Sequence, residues 1–175
     1  MITDEQLREA FGEEEAQAVY REVKAKNAFV DFAKRFAYSE DPRVARNALW
    51  SLTKASDEEL AQMQGMLHEL IDLAMSTESS SVRRLTLNIV ERLRMDEEDL
   101  RTDFLDFCLA HMADVVELPG IQTLCMKLAY RMCGFYPELT GEFMCTLETM
   151  QIEFYKPAVK SLRKKIMSGK LKQRH

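Results

Sequence analysis

Glycine and proline are scarce, at six and four in 175 residues. Sandwiches, barrels and dinucleotide-binding sheets spend both on tight turns, so those folds fit poorly. Long apolar runs are also missing; none approaches the ~20 residues that a bilayer crossing needs. The cysteines Cys108, Cys125, Cys133 and Cys145 form no CxxC pair, which removes the usual zinc and thioredoxin patterns. The phosphate-loop, dinucleotide, nucleophile-elbow and HExxH signatures are absent too. The histidines, His68, His111 and His175, are scattered. His68 and His111 fall on equivalent helices and read as partly buried helix-face residues. Acidic groups such as Glu13-Glu14-Glu15, Glu58-Glu59 and Glu97-Glu98-Asp99 sit at expected helix starts, where the dipole favours them. Nothing here marks an enzyme, and no cofactor or metal is expected.

The formal net charge is −5, against a dedicated nucleic-acid binder, whose domain is usually basic. The charge is uneven. Residues 157–175 hold seven bases and no acid, whereas residues 1–40 hold nine acids and six bases. The first residues, Met1-Ile2-Thr3-Asp4-Glu5, do not read as an export signal. That predicts reduced thiols and a cytoplasmic protein. Cys125 falls on a core stripe and should be inert; Cys133, near a helix end, is expected to be more exposed.

What is present is a repeat. The apolar positions Val82, Leu85, Leu87, Ile89, Val90 and Leu93 return 39 residues later as Ile121, Leu124, Met126, Leu128, Ala129 and Met132. A further shift of 38 gives Val159, Leu162 and Ile166. The intervening helices repeat as well: Ser56-Asp57-Glu58-Glu59-Leu60 is echoed by Asp96-Glu97-Glu98-Asp99-Leu100 and, weakly, by Tyr136-Pro137-Glu138-Leu139. Steps of three and four give each helix one apolar face. Pro42, Pro119 and Pro157 stand at helix starts, and Ser80 or Ser81 caps the equivalent helix. Only Asp114-Val115-Val116-Glu117-Leu118 hints at a strand, beside Pro119 at a helix boundary.

A period of 38–40 residues with two helices per unit resembles the HEAT/armadillo class. The resemblance is carried by Asp41-Pro42-Arg43-Val44, Ser80-Ser81-Val82-Arg83-Arg84 and Lys156-Pro157-Ala158-Val159-Lys160, where a Val is followed by a basic residue. It implies an all-α superhelix of about four helix pairs. First helices are predicted over 27–38, 57–76, 96–114 and 137–152, and second helices over 43–54, 80–94, 119–134 and 157–168. An N-terminal cap over 1–26 holds one or two helices, broken near Gly12. Residues 169–175 form a basic, frayed tail. No Gly/Ser-rich spacer divides the chain, so residues 1–175 are expected to be a single repeat domain.

The resemblance further implies that second helices line a concave surface. With Val82 marking the core, a step of 100° per residue turns Arg84, Leu87, Asn88 and Glu91 away from it. The equivalent residues are Arg46, Leu49, Trp50 and Thr53 before it and Thr123, Met126, Lys127 and Tyr130 after it, followed by Ser161, Lys164, Lys165 and Ser168. Arg46, Trp50, Arg84, Leu87, Asn88, Glu91, Met126, Lys127, Tyr130, Lys164 and Lys165 are the candidate binding residues. Trp, Tyr and Arg are typical protein-binding anchors. Close packing of neighbouring second helices would instead bury Trp50, Leu87 and Met126, and the pattern alone leaves both outcomes open. The expected function is a non-enzymatic scaffold for another protein or peptide. Nucleic acid is the alternative partner, since the same cations can track phosphates. A more distant resemblance, to HEAT-like DNA alkylation-repair glycosylases, points the same way but brings no catalytic motif. No membrane partner is expected.

Overall fold

The computed structural model describes residues 1–174; His175 lies outside them. Among the described residues the chain is all-helical, without a strand. It forms two compact units, Met1–Arg94 and the part from Met95 onward. In the first unit the helices are α1 (Asp4–Arg8), α2 (Glu13–Ala25), α3 (Phe29–Phe36), α4 (Pro42–Thr53), α5 (Asp57–Leu60), α6 (Leu67–Ser76) and α7 (Ser80–Arg92). In the second they are α8 (Thr102–Ala113), α9 (Pro119–Cys133), α10 (Pro137–Thr149) and α11 (Pro157–Met167). The pairs α3/α4, α6/α7, α8/α9 and α10/α11 each pack directly, two pairs per unit.

Local chemistry sets the helix starts. Thr3, Asp41, Ser56 and Ser79 accept backbone N–H groups of the first turns of α1, α4, α5 and α7. Each satisfies a donor that has no partner inside the helix. The cap of α7 is Ser79, one residue earlier than Ser80, because an extended backbone there brings its hydroxyl to the Val82 N–H at 3.2 Å. Pro42, Pro119, Pro137 and Pro157 each open a helix. The N-terminal cap is two helices, and Gly12 starts the second with its N–H held by Glu15 at 2.7 Å.

Two expected first helices are interrupted. Residues 57–76 are split by a 3-10 turn at Ala61–Met66, where the Gln64 amide is tied to both the N–H and the carbonyl of Arg94. Residues 96–114 open with a 3-10 turn at Glu97–Asp99, closed by Asp99 on the Asp96 N–H, and the backbone is extended at Leu100 and Arg101 before α8 begins.

One helix is central in each unit. α4 packs against α1, α2, α3 and α7, and seven of its twelve residues are buried. α9 packs against α8, α10 and α11, and nine of its fifteen are buried. Leu87 on α7 and Met126 on α9, candidate binding residues whose register turns them away from the core stripe, are fully enclosed at 0% exposure, so of the two outcomes the pattern left open it is close packing that holds for both. The cause is simple: α7 is covered by α4 as well as α6, and α9 by three helices, so the buried arc exceeds one face.

Arginines finish the helix ends. Arg83 donates to the carbonyls of Ala74 in the last turn of α6 and of Thr77 just after it, and Arg163 donates to Leu147 near the end of α10 at 2.8 Å. Arg92 reaches the Thr53 carbonyl at the end of α4 and pairs with Asp57 at 2.7 Å. These charges meet orphan carbonyls at the negative end of the dipole. The basic tail does not simply fray: the Leu171 carbonyl accepts the Tyr130 hydroxyl at 2.9 Å, and the Gln173 amide donates to the Tyr130 carbonyl at 2.8 Å.

Two outcomes follow for stability. Leu87→Ala should destabilise the protein by about 3 kcal/mol, the usual cost of an unfilled cavity at a fully buried leucine; chemical denaturation measures it. Asp41 accepts Arg8 at 2.7 Å and caps α4, and the hydrogen bond from Arg8 holds its carboxyl at about 2. A depressed pKa adds stability that is present above the unfolded value, ~3.9, and is lost as pH falls toward the folded one. In Asp41→Asn, which can still cap, the melting temperature should fall less steeply between pH 5 and 2 than in the parent.

Candidate functional site

The face of the second helices forms a defined groove in the first unit. Arg46, Trp50 and Thr53, at steps of four and three along α4, line one wall. Ser81, Arg84 and Leu85 on α7 line the other, enclosing about 290 Å³. The α4–α7 contact that buries Leu87 also sets the spacing of these walls.

Trp50 is half-buried, so it is neither a free anchor nor a core residue. Phe11, in the loop between α1 and α2, meets its ring at 5.8 Å in a tilted arrangement. The Arg46 guanidinium and the Lys54 ammonium both lie over the ring, at 5.8 and 5.9 Å. Exposed cation–π contacts of this kind contribute roughly 0.5–1 kcal/mol each. Lys54 is itself anchored by Glu13 at 2.6 Å, and the hydrogen bond from Lys54 holds the Glu13 carboxyl below its usual range. The Trp50 ring is therefore fixed by neighbours on three sides while one side faces the groove. Arg84 is exposed. Neither Arg46 nor Arg84 is paired with a carboxylate among the described residues. An aromatic ring between two arginines can take an apolar side chain and a nearby carboxylate together.

Other candidates fall elsewhere. Asn88 and Glu91 are half-buried further along α7, outside the lining of this groove. In the second unit, Lys127 and Tyr130 are half-buried on α9. Tyr130 is not an open anchor: its ring stacks on Phe143 at 5.8 Å and its hydroxyl is taken by Leu171. Lys164 and Lys165 are exposed on α11. Lys164 joins Ile152, Lys160, Arg163, Met167 and Ser168 around a second groove of about 400 Å³. Leu85 lies in the core, as its place on the apolar stripe predicts, and also borders the groove, whereas Ser81, read as a possible cap, lines the groove wall. Sequence periodicity gave no sign of Ile152, whose 3-10 turn breaks the helical register.

His68 is exposed rather than partly buried, and His111 is bound to Glu117 at 2.6 Å. Among the described residues no three His, Cys, Asp or Glu side chains converge as a metal site. No helix among them is long and apolar enough to cross a membrane. Cys133 is buried rather than exposed, because the end of α9 is covered by its neighbours, and burial pushes its thiol up to about 11. Burial raises the Cys108 thiol as well. Cys145 alone of the four cysteines is exposed. A thiol reagent such as dithionitrobenzoate should therefore titrate one fast thiol in the native protein and four in denaturant; a Cys145→Ser variant should lose the fast phase.

No curated protein matches the chain. No solved structure matches it either. A family model described as a HEAT repeat domain matches residues 3–170, which takes in both units and all four helix pairs. The chain belongs to the HEAT repeat domain family.

Proposed function

We propose that this protein is a non-enzymatic interaction scaffold that holds a peptide or helix of another protein in the groove between α4 and α7. The observation that carries the reading is Trp50: it is half-exposed, braced by Phe11, Arg46 and Lys54, and turned to an open groove. A rigid aromatic loses little conformational freedom on binding, which is why such residues anchor interfaces. Family membership supports the same reading, since HEAT repeats commonly mediate protein interactions. Arg46 and Arg84 favour a segment with an apolar side chain next to a carboxylate. Lys127, Lys164 and Lys165 belong to the other unit.

Trp50 is the only tryptophan in the chain, so its intrinsic fluorescence reports on this groove directly. Titration with acidic amphipathic peptides should shift the emission. Trp50→Ala, followed by labelled-peptide anisotropy, should weaken binding by about 2 kcal/mol or more, as expected of a central anchor. Arg84→Glu should weaken it through charge reversal. If the emission instead responds to oligonucleotides, with affinity falling steeply as salt rises, the partner is nucleic acid.

A further inference from the structure

We propose that the second unit self-associates, the turn Asp114–Leu118 of one copy seating in the basic-rimmed groove beside α11 of a second copy. Among the described residues the exposed large apolar side chains are Met1 and, in the second unit, Val115, Val116, Leu118, Tyr136, Ile152, Phe154 and Met167. Val116 is 86% exposed, Val115 51% and Leu118 48%. Aliphatic side chains grouped in this way mark an interaction surface.

The turn that carries them is held firmly. The Val116 N–H donates to the Asp114 carboxylate at 3.1 Å, and the Glu117 N–H donates to the Asp114 carbonyl at 3.1 Å. Glu117 accepts the Leu118 N–H at 2.8 Å with one oxygen and binds His111 with the other. The Gln122 amide and the Tyr155 hydroxyl donate to the carbonyls of Asp114 and Ala113. Such bracing removes most of the ordering cost of docking while leaving the aliphatic side chains in water.

The receptor is defined by its complement. The turn is aliphatic and begins at one exposed acid, Asp114, whereas Glu117 is largely covered and spent on His111 and the Leu118 N–H. The groove places Ile152 and Met167 among Lys160, Arg163 and Lys164, and the chain holds no acid from Phe154 to Arg174. An anionic membrane would attract the groove but repel the acidic turn, so a second copy accounts for both patches where a bilayer accounts for one. The Tyr155 bond also joins the base of the turn to the segment leading into α11. Turn and groove are thus neighbours within one unit, and a two-fold axis can exchange both at once, which closes the assembly as a dimer.

The test is sedimentation velocity on the full chain across the micromolar range. The parent should show a concentration-dependent monomer–dimer equilibrium. Val116→Lys and Lys164→Glu, both at solvent-facing positions, should each weaken it at least about tenfold, with unchanged circular dichroism. An equimolar mixture of the two variants should recover dimer, because the new lysine then faces the new glutamate. A parent that stays monomeric overturns the proposal, and so does one that only co-sediments with phosphatidylserine vesicles. A dimer indifferent to both substitutions, or a mixture that stays monomeric, overturns it as well. Trp50→Ala should leave the equilibrium unchanged, which separates this result from the groove in the first unit.

Discussion

A helix pair with one apolar face per helix leaves surface that only further helices can cover, and the rest of this structure depends on how that cover is provided. In the first unit α4 is enclosed by α1, α2, α3 and α7; in the second α9 is enclosed by α8, α10 and α11. Burial on several sides draws in polar groups as well. The Asn47 amide N–H reaches the Leu7 carbonyl at 2.7 Å and Ser51 bonds back to the Asn47 carbonyl, so these two donors of α4 are satisfied where α1 lands on it, while the Asn47 side-chain oxygen is buried without a partner among the described residues. Unpartnered, such groups would cost about 1–3 kcal/mol each. The short α1 is useful for this reason: it covers α4 and supplies an acceptor.

The same enclosure determines what is left for binding. Burial of Leu87 and Leu49 removes both from any surface, and the face that remains between α4 and α7 is narrow and polar at its rim. Trp50 stands at the limit of the buried zone, too large to be covered by one neighbouring helix. Its surroundings come from distant parts of the chain: Phe11 from the N-terminal cap, and Glu13 acting through Lys54. A cap that looks like a simple polar end therefore shapes the candidate site. In the second unit the C-terminal segment takes the comparable position on Tyr130, and the open surface lies instead at the 114–118 turn and along α11.

Charge is organised along similar lines. Arginines close helix ends from neighbouring helices, and acids crowd helix starts. The contribution of each exposed pair is small. Their structural effect is to fix the angle at which one helix meets the next, since a guanidinium bonded to two carbonyls holds both loop and helix in place. The bases of α11 lie in a stretch without acids, from Phe154 to Arg174.

The sequence by itself determined the all-α class, the four helix pairs and most of their boundaries. These rest on local rules: a stripe at steps of three and four, prolines at first turns, and hydroxyl or carboxylate caps. It also marked Arg46, Trp50 and Arg84 as companions, because positions on successive second helices share one face. Only the tertiary structure decided how wide the buried arc of each helix is. Periodicity describes one apolar face, whereas α7 and α9 are covered on several sides, so Leu87 and Met126 went inside and Cys133 followed them. Tertiary structure also decided contacts between residues some forty positions apart, such as Phe11 with Trp50 and Tyr130 with Leu171. It turned Val115-Val116, which alternation read as a faint strand, into a braced and exposed turn. Pairings of that range depend on where whole helices come to rest, and no local pattern in the chain encodes them.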